Sequence, residues 1–545
     1  METIKELLDR FDQLNSVGAA LSKEHHLPRL LEQILIAAQD LTHADGGTVY
    51  LLDDVKKALT FEIMRTNSMG IAMGGTTGRA INFPPLSLIK PDGQPNNALV
   101  ATYTALNDKT VTVADAYFEQ GFDFSGTRGF DKATGYRSQS FLTVPLKNHE
   151  NTVIGVLQLI NAKDPKSGQT IPFSTTNQRL AESLASQASV ALSNRQLIEQ
   201  LTDLFEALVN LINAAIDEKS PYTSGHCQRV PEMTMMLAEA TEAMETGPYA
   251  DFTMTDKDRY ELRLAGLLHD CGKIVTPVHV VDKATKLQTL FDRIELVETR
   301  FELLKRDAHI HLLEAQLALP AGHAASDALA LQQAYAQDVA TLNEQCAFLR
   351  RSNTGSEFMS AEEHQRVKDI AVSRIWQNAA GQTLPLLSDN EVENLCIRAG
   401  TLTLAEREII NNHIVATNKM LAQLPWPRHL RNVGEYAGGH HERMDGKGYP
   451  NGLKKEQMSL QARMMGIADI FEALTAGDRP YKSAMKLSQA LSILAKMAAT
   501  GHIDPDLFEI FIVKKAYMAY ADRFLSADQV DEVSEAGILE MARAG

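Results

Sequence analysis

His440 and His441 stand side by side, followed by Glu442, Arg443, Asp445 and the turn-forming run Gly446, Lys447, Gly448, Tyr449, Pro450. Adjacent imidazoles mark a metal site only where further ligands converge on them. This chain offers such ligands: His269 and Asp270 in the run Leu268–Lys273, His226 upstream, and Asp469 downstream. Imidazole and carboxylate suit divalent iron, manganese, zinc and nickel without choosing among them. Two such ions held at a fixed spacing by a shared carboxylate can acidify a water and neutralise charge building on phosphorus. The residue types therefore point to a hydrolytic metal centre acting on a phosphate ester. Cys227 and Cys271 directly follow two of these positions and are read as small buried hydrophobes.

The apolar run Leu262, Leu264, Leu267, Leu268 predicts a buried helix that carries the His269, Asp270 dyad, whose side chains then diverge by about 100°. Lys273, one turn beyond Asp270, can then meet a substrate phosphate. Past residue 200 the chain reads as almost entirely helical. Residues 288 to 400 are helical and charged, broken at Pro320–Gly322, Ser352–Ser356 and Ala379–Gln382. Their histidines, His309, His311, His323 and His364, lack carboxylates at ligand spacing and are read as surface or packing residues.

The first 175 residues alternate between helical and extended patterns. Residues 27 to 43 repeat their apolar side chains at helical spacing, and Gly47–Leu52, Thr110–Val113, Ser140–Leu146 and Val153–Ile160 read as strands. Asn148–Asn151 form the turn of an antiparallel hairpin between the last two. Helices flanking such a sheet make an α+β domain. From Asn177 to Asp217 apolar residues recur every three and four positions, which predicts one long helix that pairs with its copy in a parallel dimer or, alternatively, packs against its own domain.

Composition limits the remaining readings. With 545 residues, 44% hydrophobic and 22% charged, the chain holds two or three folded domains. A net charge of -16 argues against general affinity for DNA or anionic membranes. No apolar run is long enough for a membrane span. Met1–Glu6 begin an amphipathic helix and lack the apolar core of a signal peptide. Four cysteines without a CxxC pair fit a reducing compartment, so a cytoplasmic location is expected.

Two resemblances follow from these motifs. Residues 10 to 195 resemble a GAF domain, with Gly129–Tyr136 and Val153–Asn161 similar to the GAF domains of cyclic-nucleotide phosphodiesterases. Asn161, Lys163 and Phe173 answer to the first members of that family's Asn-Lys-Phe-Asp-Glu signature, whereas Ser174–Asn177 contain no Asp-Glu pair. The resemblance implies a sensor that takes a small ligand or serves as a dimerisation module.

The set His226, His269, Asp270, Gly272, Lys273, His440–Pro450, Asp469 and Asp478–Lys482 resembles the HD-GYP phosphodiesterases of the HD superfamily, which hydrolyse cyclic dinucleotides, above all cyclic di-GMP. This resemblance implies a GAF-regulated enzyme that opens cyclic di-GMP to linear pGpG or GMP by attack of a metal-bridging hydroxide. Cyclic GMP-AMP as substrate, or a non-hydrolytic sensing role, are the alternatives. Residue by residue, it makes His226, His269, Asp270 and Asp469 ligands of one divalent transition metal, with iron the first expectation. Asp270 bridges to a second metal held by His413, His440 and His441. Asp270 and Lys273 become catalytic, and Lys273, Arg443, Arg479 and Lys482 contact the substrate. Tyr222 stands where some members have the glutamate of a third metal, and Leu474–Arg479 contain one residue more than the family pattern. His413 follows His269 by 144 residues, which identifies the intervening stretch as an insertion.

The expected organisation is multidomain: an α+β GAF domain over 1–195, a connecting signalling helix over 177–217, and an all-α HD-GYP domain. That domain comprises 200–287 and 400–545, with a helical insertion at 288–400. The expected assembly is a homodimer through the GAF domain and the connecting helix.

Overall fold

A computed structural model describes residues 4–24, 26–53, 55–219, 225–320, 325–355, 358–477 and 484–544. The chain forms two compact units, Met1–Phe205 and Glu206–Gly545.

The first unit runs α1 (Ile4–Leu21), α2 (Leu27–Thr42), β1 (Ala44–Asp53), β2 (Ala58–Thr66), β3 (Ile71–Gly74), β4 (Leu86–Ser87), α3 (Val100–Asn107) and β5 (Val111–Val113). It continues through α4 (Ser125–Thr134), β6 (Phe141–Lys147), β7 (Val153–Lys163), β8 (Thr170–Ile171) and the start of α5 (Thr175–Lys219). The strands form one antiparallel sheet of order β3-β2-β1-β7-β6-β5, with β4 on β2 and β8 on β7. All four expected strands are present, and β6 and β7 form the expected hairpin.

Alternation along the strands sorts the core onto two faces. Val49, Leu51, Leu157 and Leu159 meet α1, α2 and α5 through Leu14, Leu31, Leu35, Leu184 and Leu192. Tyr50 and Val156 point the other way, to Leu59 and Ala101, while Phe141 joins Val100 and Phe124. This is an α+β architecture. Asn161, at φ 58°, accepts from the Gln139 and Ser140 amides and donates to Tyr136 Oη, so it shapes the backbone between β7 and the strand before it. Lys163 donates to Thr170, and Phe173 is buried.

Helix α5 covers the expected 177–217 stretch and a turn's fraction beyond it at each end, and the division between the units falls within it. Its exposed apolar residues include Leu197, Leu201, Leu204, Leu208 and Leu211, spaced alternately by four and three. No helix among the described residues is long and apolar enough to cross a membrane.

The second unit holds α6 (His226–Glu242), α7 (Asp256–Leu268), α8 (Val278–Val281), α9 (Ile294–Leu317), α10 (Ala325–Asn353) and α11 (Ala361–Ser373). The short strands β9 (Ile375–Gln377) and β10 (Thr383–Pro385) come next, then α12 (Asp389–Leu395), α13 (Leu404–Asn411), α14 (His413–Leu421) and α15 (Val433–Gly438). It ends with α16 (Leu460–Thr475), α17 (Leu487–Ala499), α18 (Pro505–Val513), α19 (Ala516–Phe524) and α20 (Glu535–Arg543). Helices α7, α11, α12 and α13 each open on a reciprocal cap: Thr255 with Asp258, Ser360 with Glu363, Ser388 with Glu391, and Thr403 with Glu406. Each cap satisfies two amides that the helix leaves without acceptors.

The break expected at Ala379–Gln382 is not a gap between helices but the turn of a hairpin. β9 and β10 pair in antiparallel register around Gly381 at φ 75°, and Asn378 accepts from the amides of Ala380 and Gln382. Residues 287 to 395 close a core of their own around Val297, Phe301, Leu342, Leu349, Val367 and Leu386. The ends of this stretch are tied together. The buried Lys283 ammonium donates to Asn394 at 2.8 Å and to Glu406 at 2.7 Å, and Thr401 donates to the Lys283 carbonyl at 2.7 Å.

Phe301→Ala in this core is expected to cost about 3–5 kcal/mol. Urea unfolding followed by far-ultraviolet circular dichroism checks this, and a loss below about 1 kcal/mol would show that the core does not close on this ring.

Candidate metal centre

Five histidines reach one region from four chain segments. His226 is the first residue of α6, His413 the first of α14, and His440 and His441 follow α15 closely. His269 and Asp270 come at the end of α7, where the chain passes into a tight turn at Cys271–Val275. The dyad is therefore not within a helix, as the apolar run had suggested, but at a helix end, where the change of backbone direction separates the two side chains.

Gly272 makes this turn fit. A Cβ there would lie 2.0 Å from the His413 carbonyl oxygen and 2.6 Å from the Thr417 amide. The Gly272 amide instead donates to Thr417 Oγ1 at 2.9 Å, and that hydroxyl donates to the His269 carbonyl at 3.2 Å. The turn is thus clamped against α14. Gly448 plays a similar part beside the histidine pair, since a Cβ would lie 2.4 Å from the Arg443 amide.

Asp270 is buried and its two oxygens face different groups. Oδ2 lies 3.2 Å from His226 Nε2 and 3.3 Å from His269 Nε2, while Oδ1 lies 3.2 Å from His413 Nε2. Asp469, on α16, adds an oxygen 3.2 Å from His226 Nε2 and 3.8 Å from His269 Nε2. On the other side, His413 Nε2 and His441 Nε2 are 3.2 Å apart, and the His440 and His441 rings stand 4.0 Å centroid to centroid.

The far nitrogens reveal what these contacts mean. His269 Nδ1 is 2.7 Å from the Gly266 carbonyl, His413 Nδ1 2.5 Å from that of Ile410, and His440 Nδ1 2.6 Å from that of Ala437. A carbonyl only accepts, so each Nδ1 carries a proton, and the neutral ring presents a lone pair at Nε2. The lone pairs then face one another and the Asp270 carboxylate. His440 Nε2 and Asp270 Oδ1 are buried without a hydrogen-bond donor. Converging acceptors in a buried space want a cation. Two groups of ligand atoms are close enough to hold one each, His226 with His269 and Asp270, and His413 with His440 and His441. The donor set fits the two divalent metals expected.

Electrostatics agree with this. Burial pushes the His440 imidazole well below its ordinary range and takes His441 to about 4, so both are neutral at physiological pH. Burial opposes charge on Asp270 and Asp469. Lys273 and His226 nevertheless hold Asp270 ionised, and His226 holds Asp469 so. Burial likewise opposes protonation of His226, but Glu472 and the two aspartates outweigh it and raise the imidazole. Burial lifts the Cys227 thiol to about 12 and the Cys271 thiol to about 11, as inert packing residues require.

Glu472 had no part in the sequence reading. Its Oε2 sits 2.5 Å from His226 Nδ1, and Arg229 donates from Nε to its other oxygen at 2.7 Å. A carboxylate behind a ligating imidazole fixes ring orientation and raises basicity. The signal was present: Glu472 lies three residues after Asp469, on the same face of α16.

The expected substrate contacts fare differently. Lys273 Nζ lies 2.6 Å from Asp270 Oδ2 and is largely buried. Arg443 is held as a fork by Asp445, at 3.1 Å from Nε and 2.7 Å from Nη2. Tyr449 stacks on His441 at 4.8 Å. Arg479, Lys482, Tyr222 and His323 lie outside the described residues. At the end of α5, Lys219 Nζ donates to the Lys273 carbonyl at 3.2 Å and to that of Ile274.

Comparison with known families places a GAF domain at residues 26–192 and HD domain models at 223–334 and 360–507. A 3'3'-cGAMP-specific phosphodiesterase of Vibrio cholerae, numbered 3, is 31% identical over 385 residues, covering 69% of this chain and 55% of that protein. A second 3'3'-cGAMP-specific phosphodiesterase of that organism, numbered 1, is 41% identical over 80 residues, 15% of this chain and 18% of the relative. A cyclic di-GMP phosphodiesterase of Pseudomonas aeruginosa is 47% identical over 73 residues, 13% of this chain and 17% of the relative. The chain thus spans about half the length of the first relative and under a fifth of the other two. The chain thus carries a GAF domain ahead of HD domain matches, an α+β fold before a helical unit that gathers histidines and aspartates.

Proposed function

We propose that the chain is a metal-dependent phosphodiesterase that opens a cyclic dinucleotide. The observation that carries this reading is the division of Asp270's two oxygens between two imidazole groups. His226, His269, Asp270 and Asp469 then hold one divalent cation, and Asp270, His413, His440 and His441 the other. Such a pair supplies Lewis acidity, bringing a water's pKa towards neutrality and screening phosphate charge. Iron is the first choice of metal, and manganese, zinc and nickel suit the same donors.

The chain's own side chains bind and orient. The Lys273 ammonium beside Asp270 can exchange its carboxylate partner for a phosphate oxygen, as a point charge. Arg443, Arg479 and Lys482 complete the phosphate contacts, and Tyr449 offers a flat face beside His441. Glu472 and Arg229 keep the His226 ring in place. Hydrolysis adds water at phosphorus and releases a ribose hydroxyl, giving a linear dinucleotide such as pGpG, and a second round gives mononucleotides.

Cyclic di-GMP and 3'3'-cGAMP differ in one base. The longest match, to a relative named for 3'3'-cGAMP, supports the mixed nucleotide, and the shorter matches to proteins named for cyclic di-GMP support the other.

In this reading residues 200–287 and 400–545 form one catalytic domain, placed in the cytoplasm, and 288–400 interrupt it. Ligands before and after the interruption meet at Asp270 and His413. Residues 1–195 act as sensor and 177–217 as connecting helix. The exposed leucines of α5 support parallel pairing with a second copy. Lys219 supports a route from that helix to the backbone of Lys273.

Two measurements test this. Metal-loaded protein is expected to turn over cyclic di-GMP or 3'3'-cGAMP, and Asp270→Ala to lower the rate at least about a hundredfold with loss of bound metal. A loaded wild type without turnover would leave only a sensing role, and an active Asp270→Ala would refute the site. The paired substitution Leu201→Asp, Leu208→Asp is expected to convert a dimer to a monomer by light scattering and to change the rate. A persisting dimer would reject the helix pairing, and an unchanged rate in the monomer would reject regulation through it.

A further inference from the structure

The first unit contains a cavity of about 310 Å³ between the sheet and helices α3 and α4. One wall is a run of rings. Tyr50 and Phe61 stand 4.8 Å apart, Phe61 and Phe83 5.5 Å, and Phe83 and Phe130 6.5 Å. Phe83 lines the cavity and remains 42% exposed. Rings in tilted and edge contact along a wall can pack against a flat π system.

The polar groups on the wall narrow the chemistry. Tyr50 Oη donates to Gln158 Oε1 at 3.2 Å, and burial keeps the phenol protonated. Gly126 and Thr127, in the first turn of α4, line the cavity, and their amides have no acceptor four residues back within the helix. They can donate to a ring nitrogen or carbonyl oxygen.

A helix start would also attract a phosphate, but here the charge is already supplied. The Asp123 carboxylate, itself on the wall, accepts from the Ser125 amide at 2.8 Å, and that bond keeps it ionised. Two more carboxylates stand one side chain behind the lining. Tyr136 Oη donates to Asp45 at 2.7 Å, and Ser138 Oγ to Asp131 at 2.8 Å. Arg65 is the single cationic side chain lining the cavity among the described residues, and Glu32 lies 3.4 Å from it. An anion entering would meet carboxylates and one cation already neutralised.

We infer that this cavity takes an uncharged, planar heteroaromatic compound carrying hydrogen-bond acceptors and turns away phosphate-bearing nucleotides. The effector is then chemically unlike the substrate class proposed for the second unit, and the sensor does not read that substrate or its product. This inference stands apart from the phosphodiesterase reading, because its measurement is binding and not turnover.

Isothermal titration of the full chain with lumichrome and caffeine as uncharged probes, and with cyclic GMP as the charged one, tests it. At least one uncharged probe is expected to bind ten times or more tighter than cyclic GMP. Phe83→Ala and Phe130→Ala, both at partly exposed rings, are each expected to weaken that binding at least tenfold at an unchanged melting midpoint. Failure of both uncharged probes, cyclic GMP binding as tightly as either, or indifference to both ring substitutions at intact melting would each overturn the proposal.

Discussion

The sharing of one buried carboxylate between two groups of imidazoles is the constraint around which the second unit is arranged. Asp270 can serve both only if the turn that carries it lies almost against the helix that begins at His413. That approach leaves no space for a Cβ at Gly272. The Thr417 hydroxyl, bonded both to the Gly272 amide and to the His269 carbonyl, holds the two segments at this separation. Ligand geometry is therefore set by backbone packing and only secondarily by side-chain rotamers.

A second layer of contacts orients what the backbone brings together. Three of the imidazoles rest on the carbonyl three residues back, and His226 rests on Glu472, which Arg229 holds in turn. Each of these four rings thus has one nitrogen committed to the protein and the other turned inward. Without a cation such an arrangement gathers acceptors that repel one another, a cost that the surrounding apolar helices must offset.

The sequence made much of this legible, for identifiable reasons. Alternating apolar residues expose strands such as Gly47–Leu52, and three-and-four spacing exposes α5, because local periodicity reports burial directly. His226, His269, Asp270, His440, His441 and Asp469 could be named from residue type and local motif, whereas His413 came only from the family resemblance. What stayed hidden depended on partners distant in the chain. That Asp270 leaves a helix end was invisible behind four leucines. The ion pair of Lys273 with Asp270 and the fork that Arg443 makes to Asp445 were likewise not marked by any local pattern. Nor does any periodicity announce the hairpin of β9 and β10, whose register rests on Asn378 and a glycine at positive φ.

The ties at Lys283 have a consequence for how such a chain can change. Chain entering and leaving the stretch between Leu287 and Leu395 is gathered at one point by Asn394, Thr401 and Glu406, so the loop's ends are already closed. Lengthening a loop with fixed ends costs little, about 0.6 kcal/mol per doubling. The intervening helices also carry their own core. The stretch is therefore a port into which evolution can add or remove material while the histidines on either side keep their positions.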